Sequence, residues 1–318
     1  MGNKIYRQNI FLGKVIAMNR RNFLKQAAIT TSMLPIAGCI ANLRSDNQPV
    51  GRKPNVVLIL TDDQGISDVG CYGTKDILTP NIDKLASQGI KFSQFYIASP
   101  ICSPSRAALL TGRYAQRAQL ARNVGNVRPG LPPQQITIAE MLKSAGYKTG
   151  HIGKWHLGGR KDLQANAQGF DYSFGHLDGC IDNYSHYFHW AGTRHDLYRN
   201  GQRVYYPGQY FGDLMADECK NFISKNKTEP FFLYWAINMP HYPYQGKIKW
   251  LKKYSHKNSS QFAKYAGFVS TMDEMIGQVI DHLENLKLRE DTLIIFLSDH
   301  GPSKLQRRFW GKKYNVPY

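Results

Sequence analysis

Two short apolar runs, at residues 55–60 and 292–297, each break off abruptly into acids. The first leads to Thr61-Asp62-Asp63-Gln64-Gly65 and the second to Ser298-Asp299-His300-Gly301. Branched apolar runs of this length read as buried parallel strands. In an open parallel sheet, ligands bind beyond the carboxyl ends of the strands. Strand-end carboxylates repel one another unless a cation joins them. Asp62, Asp63 and Asp299 converging at one sheet edge would suit a hard divalent ion with oxygen ligands, Ca2+ or Mg2+. A single Asp-Asp pair reads equally as a turn or cap; its repetition at a second strand end is what favours a metal.

The rest of the chain supplies the partners of such a sheet. Pro80-Asn81 opens a helix through Ile82, Leu85 and Ala86, with Gly89 after it. Thr137 is placed to cap a helix through Ile138, Met141 and Leu142, with Gly146 beyond its end. Residues 148–152 and 231–236 read as further strands. Residues 261–287 carry Phe262, Tyr265, Phe268, Val269, Met272, Ile276, Val279 and Leu283 at helical spacing. Alternation of strands and helices predicts an α/β fold, a mainly parallel sheet with helices on both faces. Residues 171–210, rich in Tyr, His, Gly and Asp, read as a long surface excursion suited to substrate contacts. Tyr184, His186, Tyr187, His189, Trp190 and His195 in it could stack on sugar rings, or simply pack against the body.

Charge does not point to nucleic acid. Lys and Arg number 41 against 23 acids, a formal net charge of +18. Much of the excess sits in residues 1–53 and 301–318, which leaves the body only mildly basic. Residues 18–41 have the anatomy of an export signal: charge, a short apolar run, then small residues. Arg20-Arg21-Asn22-Phe23-Leu24-Lys25 resembles the twin-arginine motif, and Ile36-Ala37-Gly38-Cys39 resembles a bacterial lipobox. Lipid on Cys39 would hold an exported protein in the periplasm or at the cell surface without a membrane span. Residues 1–50 are therefore expected to be signal and tether, and 51–318 the folded domain. The five cysteines define no disulfide framework.

Cys102-Ser103-Pro104-Ser105-Arg106 continues through Ala107, Leu109 and Leu110 to Thr111-Gly112-Arg113. Pro104 suits the first turn of a helix, which would put Cys102 at its positive end, with Arg106 one turn on. An isolated Cys reads as a small buried hydrophobe. This one does not stand alone. Cys-x-Pro-Ser-Arg followed by Leu-Thr-Gly-Arg resembles the signature of the type I sulfatases, in the alkaline phosphatase-like superfamily. Residues 55–65 are similar to the family's first strand and Asp pair. Gly153-Lys154-Trp155-His156-Leu157-Gly158, Met239-Pro240-His241-Tyr242-Pro243 and Ser298-Asp299-His300-Gly301 resemble its later elements, in family order.

The resemblance implies a formylglycine-dependent sulfuric ester hydrolase acting on a sulfated carbohydrate or an aryl sulfate. Cys102 would be oxidised to formylglycine by a maturation enzyme. The hydrated aldehyde would offer one hydroxyl as nucleophile and keep the second to expel sulfate afterwards. Asp62, Asp63, Asp299, His300 and the modified Cys102 would hold Ca2+ or Mg2+; the family more often has Asn where His300 stands. Arg106 and Lys154 would neutralise charge, His156 would bind the second hydroxyl, and His241 would serve the leaving alcohol. Lys312, in Phe309-Trp310-Gly311-Lys312, would fill a late lysine position, with Lys313 as the alternative. The resemblance also implies a C-terminal subdomain that this chain lacks, so the sheet would miss a strand and expose apolar surface. A phosphodiesterase or phosphonate hydrolase on the same scaffold, and an inactive truncated remnant, are the competing readings.

Overall fold

The computed structural model describes residues 52–124, 129–189, 194–257 and 259–310. Cys39, Trp190 and Lys312, with the export and lipobox motifs, lie outside the described residues. No helix among those described is long and apolar enough to cross a membrane.

Seven strands form one sheet. They are β1 (Asn55–Asp62), β2 (Lys148–Lys154), β3 (Tyr172–His176), β4 (Tyr198–Arg199), β5 (Gln202–Arg203), β6 (Phe231–Pro240) and β7 (Thr292–Ser298), in the order β5-β4-β3-β2-β6-β1-β7. β3, β2, β6, β1 and β7 run parallel; β4 and β5 add an antiparallel edge. The expected α/β fold with a mainly parallel sheet is present. Pairing of Thr61 with Ser298 and of Asp62 with Pro240 makes β7, β1 and β6 finish level with one another. That register brings the residues that follow each strand to one edge.

Alternate residues of the central strands feed two cores. Val57, Ile59, Trp235 and Ile237 face one side, against α4 (Phe211–Lys225) and α6 (Ser260–Asn285). Leu58, Leu60, Tyr234 and Ala236 face the other, where Ala107 and Leu110 of α2 (Cys102–Thr111) and Ala139 of α3 (Ile138–Ser144) cover them. The helical stripe read from the sequence is the buried face of α6, and Ser259 caps it by accepting from the Phe262 N–H. Thr137 caps α3 as expected, in a reciprocal box with Glu140.

α1 (Pro80–Ser87) is capped from a distance. Asp273 of α6 accepts the Ile82 N–H at 2.8 Å, the Asn81 N–H at 3.2 Å and the Asn81 side-chain amide at 2.8 Å. The two helices can approach this closely because position 277 is glycine. A Cβ there would stand 2.4 Å from the Asn81 side chain. α5 (Ile248–Lys253) and α7 (Lys304–Trp310) complete the α-helices among the described residues.

Two expectations change. The excursion does not begin at residue 171, because residues 172–176 are a strand whose Phe174 and His176 are fully buried. A five-residue alternation of Tyr, Ser, Phe, Gly and His is too short and too polar to stand out as a strand in sequence. Much of the remainder is also packed inward, Ile181, Asn183, His186 and Leu197 among it. At β7, the last strand in the order, Leu293 and Ile295 are 53% and 39% exposed. The four described cysteines are unpaired.

His151 of β2 is buried against Trp155, Phe170 and Tyr234, and neither ring nitrogen has a partner. Burial lowers its pKa from 6.5 to about 3. A base depressed on folding stabilises the fold above its unfolded pKa and loses that contribution as pH falls below it. Between pH 7 and pH 5.5 this one group should remove about 1 kcal/mol. The His151→Phe variant, followed by urea denaturation at both pH values, should lose about that much less than the parent. An equal loss in both proteins would show that His151 is not held neutral by the fold.

Candidate active site

Five strand and helix ends meet at the carboxyl edge of the sheet. β1 delivers Asp62 and Asp63, β7 delivers Asp299 and His300, β6 delivers His241, β2 delivers Lys154, and the first turn of α2 delivers Cys102. The turn after β1 is tight enough that Asp63 adopts a left-handed backbone (φ 64°), a conformation tolerated better by Asp than by most residues. Its N–H then donates to the Asp299 carboxylate at 3.1 Å, which ties the two strand ends together.

Helix α2 is braced at its start. The Ser103 N–H donates to the Asn123 side chain at 3.0 Å, and the Ser103 hydroxyl accepts the Val124 N–H at 3.2 Å. The Ser105 hydroxyl makes a short bond to the Asp299 carbonyl. At the far end Gly112 takes φ 64° and its N–H caps the Ala108 carbonyl. Cys102 is thereby fixed, buried, with its Sγ 3.2 Å from Nε2 of His300. Burial raises its pKa, against the field of Lys154. At neutral pH it is a thiol, a weak nucleophile and a poor ligand for a hard cation. Unmodified, it lacks the chemistry that its position calls for.

The carboxylates are the electrostatic problem of the site. Asp62 and Asp299 are fully buried. Lys154 Nζ donates to Asp62 at 2.7 Å. Arg106 lies 3.0 Å from Asp299 and 3.4 Å from Asp62, and also donates to the Lys154 carbonyl at 3.1 Å. Arg106 thus faces the two carboxylates. Burial opposes ionisation of Asp62, yet Lys154, His241 and Arg106 outweigh it and hold its pKa well below the usual range. Burial and the charge of Asp62 push Asp299 the other way, up to about 7, against Arg106, His300 and Lys154. Two neighbouring acids split in this manner because the second charge must form beside the first.

His300 stands among the acids. Its Nε2 is 3.0 Å from Asp63 and 3.5 Å from Asp299. Burial opposes its charge, but hydrogen bonds to Asp63 and Cys102 and the field of Asp299 push it up to about 11.

Ligand atoms of Asp62, Cys102, Asp299 and His300 all lie within 4.8 Å of one another. One buried Asp62 oxygen has no hydrogen bond, only the ion pair with Arg106 at 3.4 Å. Crowded carboxylates, an oxygen short of hydrogen bonds and a raised acid are the features that a divalent cation relieves, so these residues fit one. Asp63 stands at the margin of the group, with its carboxylate turned to His300.

The other expected residues sit around this centre. His156 is buried, with a left-handed backbone (φ 54°) and an unpartnered Nδ1. Burial, reinforced by Lys154 and Arg106, holds it well below its ordinary pKa, so it is a neutral acceptor. A Cβ added to Gly179 would lie 3.3 Å from its ring, so that glycine sets the clearance on one side. His241 donates from Nδ1 to the Tyr242 carbonyl at 2.8 Å, which leaves Nε2 directed toward Asp63 at 3.9 Å. Sequence reasoning did not find Ser105, Asn123 or Gly179. Ser105 lies within a motif and Asn123 and Gly179 lie outside one, and nothing in their residue type marks them as contacts.

Removing Lys154 should leave Asp62 buried with Arg106 and the more distant His241 to balance it. The Lys154→Met variant is expected to be less stable by about 3–5 kcal/mol. Urea denaturation in EDTA measures this, and a loss under about 1 kcal/mol would mean that the pair is not needed to keep Asp62 ionised.

The sulfatase family model matches residues 54–318. An N-acetylgalactosamine-6-sulfatase of Canis lupus familiaris is 34% identical over 300 residues, covering 86% of this chain and 55% of that protein. An N-acetylgalactosamine-6-O-sulfatase of Bacteroides thetaiotaomicron is 31% identical, covering 84% of this chain and 62% of its own length. The chain therefore spans little more than half the length of the curated relatives it matches. Among solved structures, Ps i-CgsB superposes with a TM-score of 0.73 at 37% identity, over 78% of this chain and 58% of the other. That protein is also solved in complex with k-i-k-neocarrahexaose. With a family match running through every strand that builds the site, the chain belongs to the sulfatase family.

Proposed function

We propose that the site hydrolyses sulfate esters, with Cys102 converted to formylglycine as the nucleophile and a divalent ion, Ca2+ or Mg2+, held by Asp62, Asp63, Asp299, His300 and residue 102. The observation that carries this reading is the meeting of Cys102 with Asp62, Asp299 and His300 inside 4.8 Å. When bound, the ion supplies polarisation of the sulfate and acidifies the nucleophilic hydroxyl. The chain's own groups do the rest. Asp299 takes the proton of the attacking hydroxyl. Arg106 and Lys154, cations buried beside it, balance charge that develops on the transferring group. His241, its Nδ1 occupied by the Tyr242 carbonyl, uses Nε2 to protonate the departing alcohol. His156, kept neutral by burial, accepts the proton of the second hydroxyl so that sulfate is released. Lys312 is proposed as a further cation of this site.

The substrate class we favour is a sulfated saccharide, with aryl sulfates as small surrogates. The names of the relatives and the saccharide complex of Ps i-CgsB support that choice. We further propose residues 51–318 as the catalytic part. Residues 1–50 would be an export signal and tether, a lipid on Cys39 would be the one link to a membrane, and a formylglycine-generating enzyme would be a partner during maturation.

Three measurements test this. Peptide mass spectrometry after co-expression with a maturation enzyme should show residue 102 about 18 Da lighter than Cys, as SH on carbon becomes a carbonyl; a fully unmodified thiol would sink the mechanism. Asp62→Asn and Asp299→Asn should each lose bound metal by elemental analysis and hydrolysis of 4-nitrophenyl sulfate by at least about 100-fold. Retained stoichiometric metal would contradict the ligand set, and faster cleavage of the phosphate ester than of the sulfate would favour a phosphohydrolase. Cys39→Ala should move the protein from the membrane pellet to the soluble fraction; a parent that is already soluble removes the anchor.

A further inference from the structure

Residues 84–139, the stretch that carries Cys102, hold seven Lys or Arg and no acid. At the chain's own frequency, 23 acids in 318 residues, about four would fall there. Two of these cations are neutralised: Arg106 is buried against Asp62 and Asp299, and Lys84 pairs with Glu284. Arg113, Arg117 and Arg122 are exposed, and among the described residues none of them pairs with a carboxylate. Arg113 reaches only the neutral Gln135, at 3.4 Å. Elsewhere on the surface Lys143, Lys148, Arg160, Lys249 and Lys257 each face an acid. The three arginines are thus a row of positive charge that the fold leaves unbalanced.

The row is mounted on a built loop. Residues 112–124 leave the far end of α2 and return to its start. The Arg117 and Ala118 N–H groups donate to the Tyr114 carbonyl at 2.8 and 3.0 Å, and the Leu120 N–H donates to the Ala115 carbonyl at 2.9 Å. Ala118, Leu120 and Val124 are buried in the same core as Ala107 and Leu110 of α2. Asn123 and Val124 then bond to Ser103, the neighbour of Cys102. Arg122 therefore leaves the chain beside the turn that carries Cys102. Arg113 leaves it at the other end of a ten-residue helix, about 15 Å away. Tyr114, 68% exposed, offers a ring next to Arg113. A row of this length exceeds any single small anion and fits oxyanions spaced along one polymer. Guanidinium forks bind such groups at two points each, and an exposed ring suits the C–H face of a sugar. Because the row begins at the helix of the site itself, sulfates on one saccharide chain suit it better than lipid headgroups spread over a plane.

We propose that Arg113, Arg117 and Arg122, with Tyr114, form an exosite for polyanions that holds non-reacting sulfate groups of a polysulfated saccharide chain. This rests on the hydrolase reading above and deepens it, because it names a multiply sulfated chain as the substrate class. The loop backbone is fixed before the ligand arrives, so binding has chiefly arginine side chains to order.

The test compares the parent with the double variant Arg117→Gln/Arg122→Gln. Arg113 stays in place because its contact with Gln135 braces the loop. Lys252→Gln/Lys253→Gln removes the same charge from exposed positions on α5 and is the control. Dextran sulfate is the probe, titrated by calorimetry in about 0.15 M salt, where screening over about 8 Å suppresses diffuse attraction. The arginine variant should bind it about fivefold more weakly, and the lysine control should stay within about twofold of the parent. Arg117→Lys/Arg122→Lys, which keeps the charge, should recover part of the loss. All of these proteins should hydrolyse 4-nitrophenyl sulfate, which carries one sulfate, within about twofold of the parent, and dextran sulfate should inhibit that reaction less in the arginine variant. Equal weakening in the arginine and lysine variants would reduce the effect to net charge and overturn the exosite. So would unchanged affinity in the arginine variant, or a parent that does not bind the polymer. An arginine variant that loses binding to phosphatidylcholine–phosphatidylglycerol vesicles but keeps dextran sulfate would assign the row to a membrane surface and overturn it as well. A matured parent inert toward every sulfate ester sinks the hydrolase reading instead, and the calorimetric comparison still decides whether the row binds polyanions.

Discussion

Mutual repulsion of the acids at one sheet edge governs this molecule. Asp62 and Asp299 are removed from water, where unit charges about 4 Å apart interact by about 4 kcal/mol at an effective dielectric near 20. Carboxylates in that situation need either protons or cations. The chain supplies Lys154 and Arg106 from two different elements, and the imidazole of His300 from the strand end itself. The same demand for positive charge is what suits the cluster to a divalent ion. In the proposed mechanism a cation site and a sulfate-handling site are one arrangement, because the lysine and arginine that keep Asp62 ionised would also balance a transferring sulfuryl group.

The parallel sheet meets that demand through register. β7, β1 and β6 end together, so residues separated by more than two hundred positions become neighbours without a loop having to search for them. Helix α2 contributes its amino terminus to the same edge because Ala107 and Leu110 bury its far side on the second core. The site is precise for the reason that the core is. Its side chains leave the ends of elements whose own positions are set by packing. The excursion adds a buried amide network, Asn183 with Asn238 and Gln245, to the apolar side chains Ile181 and Leu197 that anchor it in the core.

Much of this was legible in the chain. β1, β6, β7 and α6 show long apolar patterns that only a buried strand or a one-sided helix satisfies. Thr137 is a local capping signal and is found as read, with Glu140 completing a box that the structure adds. Cys102, Arg106, Lys154, His156, His241, Asp299 and His300 each sit in a short motif, and the structure gathers them at one edge. Less visible were contacts that join distant residues through ordinary side chains. Asp273 capping α1 and Asn183 bridging Asn238 to Gln245 depend on two elements meeting. Neither residue type announces such a role. β3 escaped for a related reason, since its five residues acquire strand character only beside β2.

The sequence by itself determined which elements form and which residue types crowd their ends. Periodicity, capping and turn chemistry act over a few neighbouring positions, and a motif carries its chemistry in those same positions. Tertiary structure alone decided which charges face which. It turned Arg106 onto Asp299 and Lys154 onto Asp62, and it drew Asp299 toward neutrality while holding Asp62 ionised. Those outcomes depend on distance and burial in three dimensions, and a Coulomb interaction or a desolvation penalty has no value until the chain has folded and excluded water.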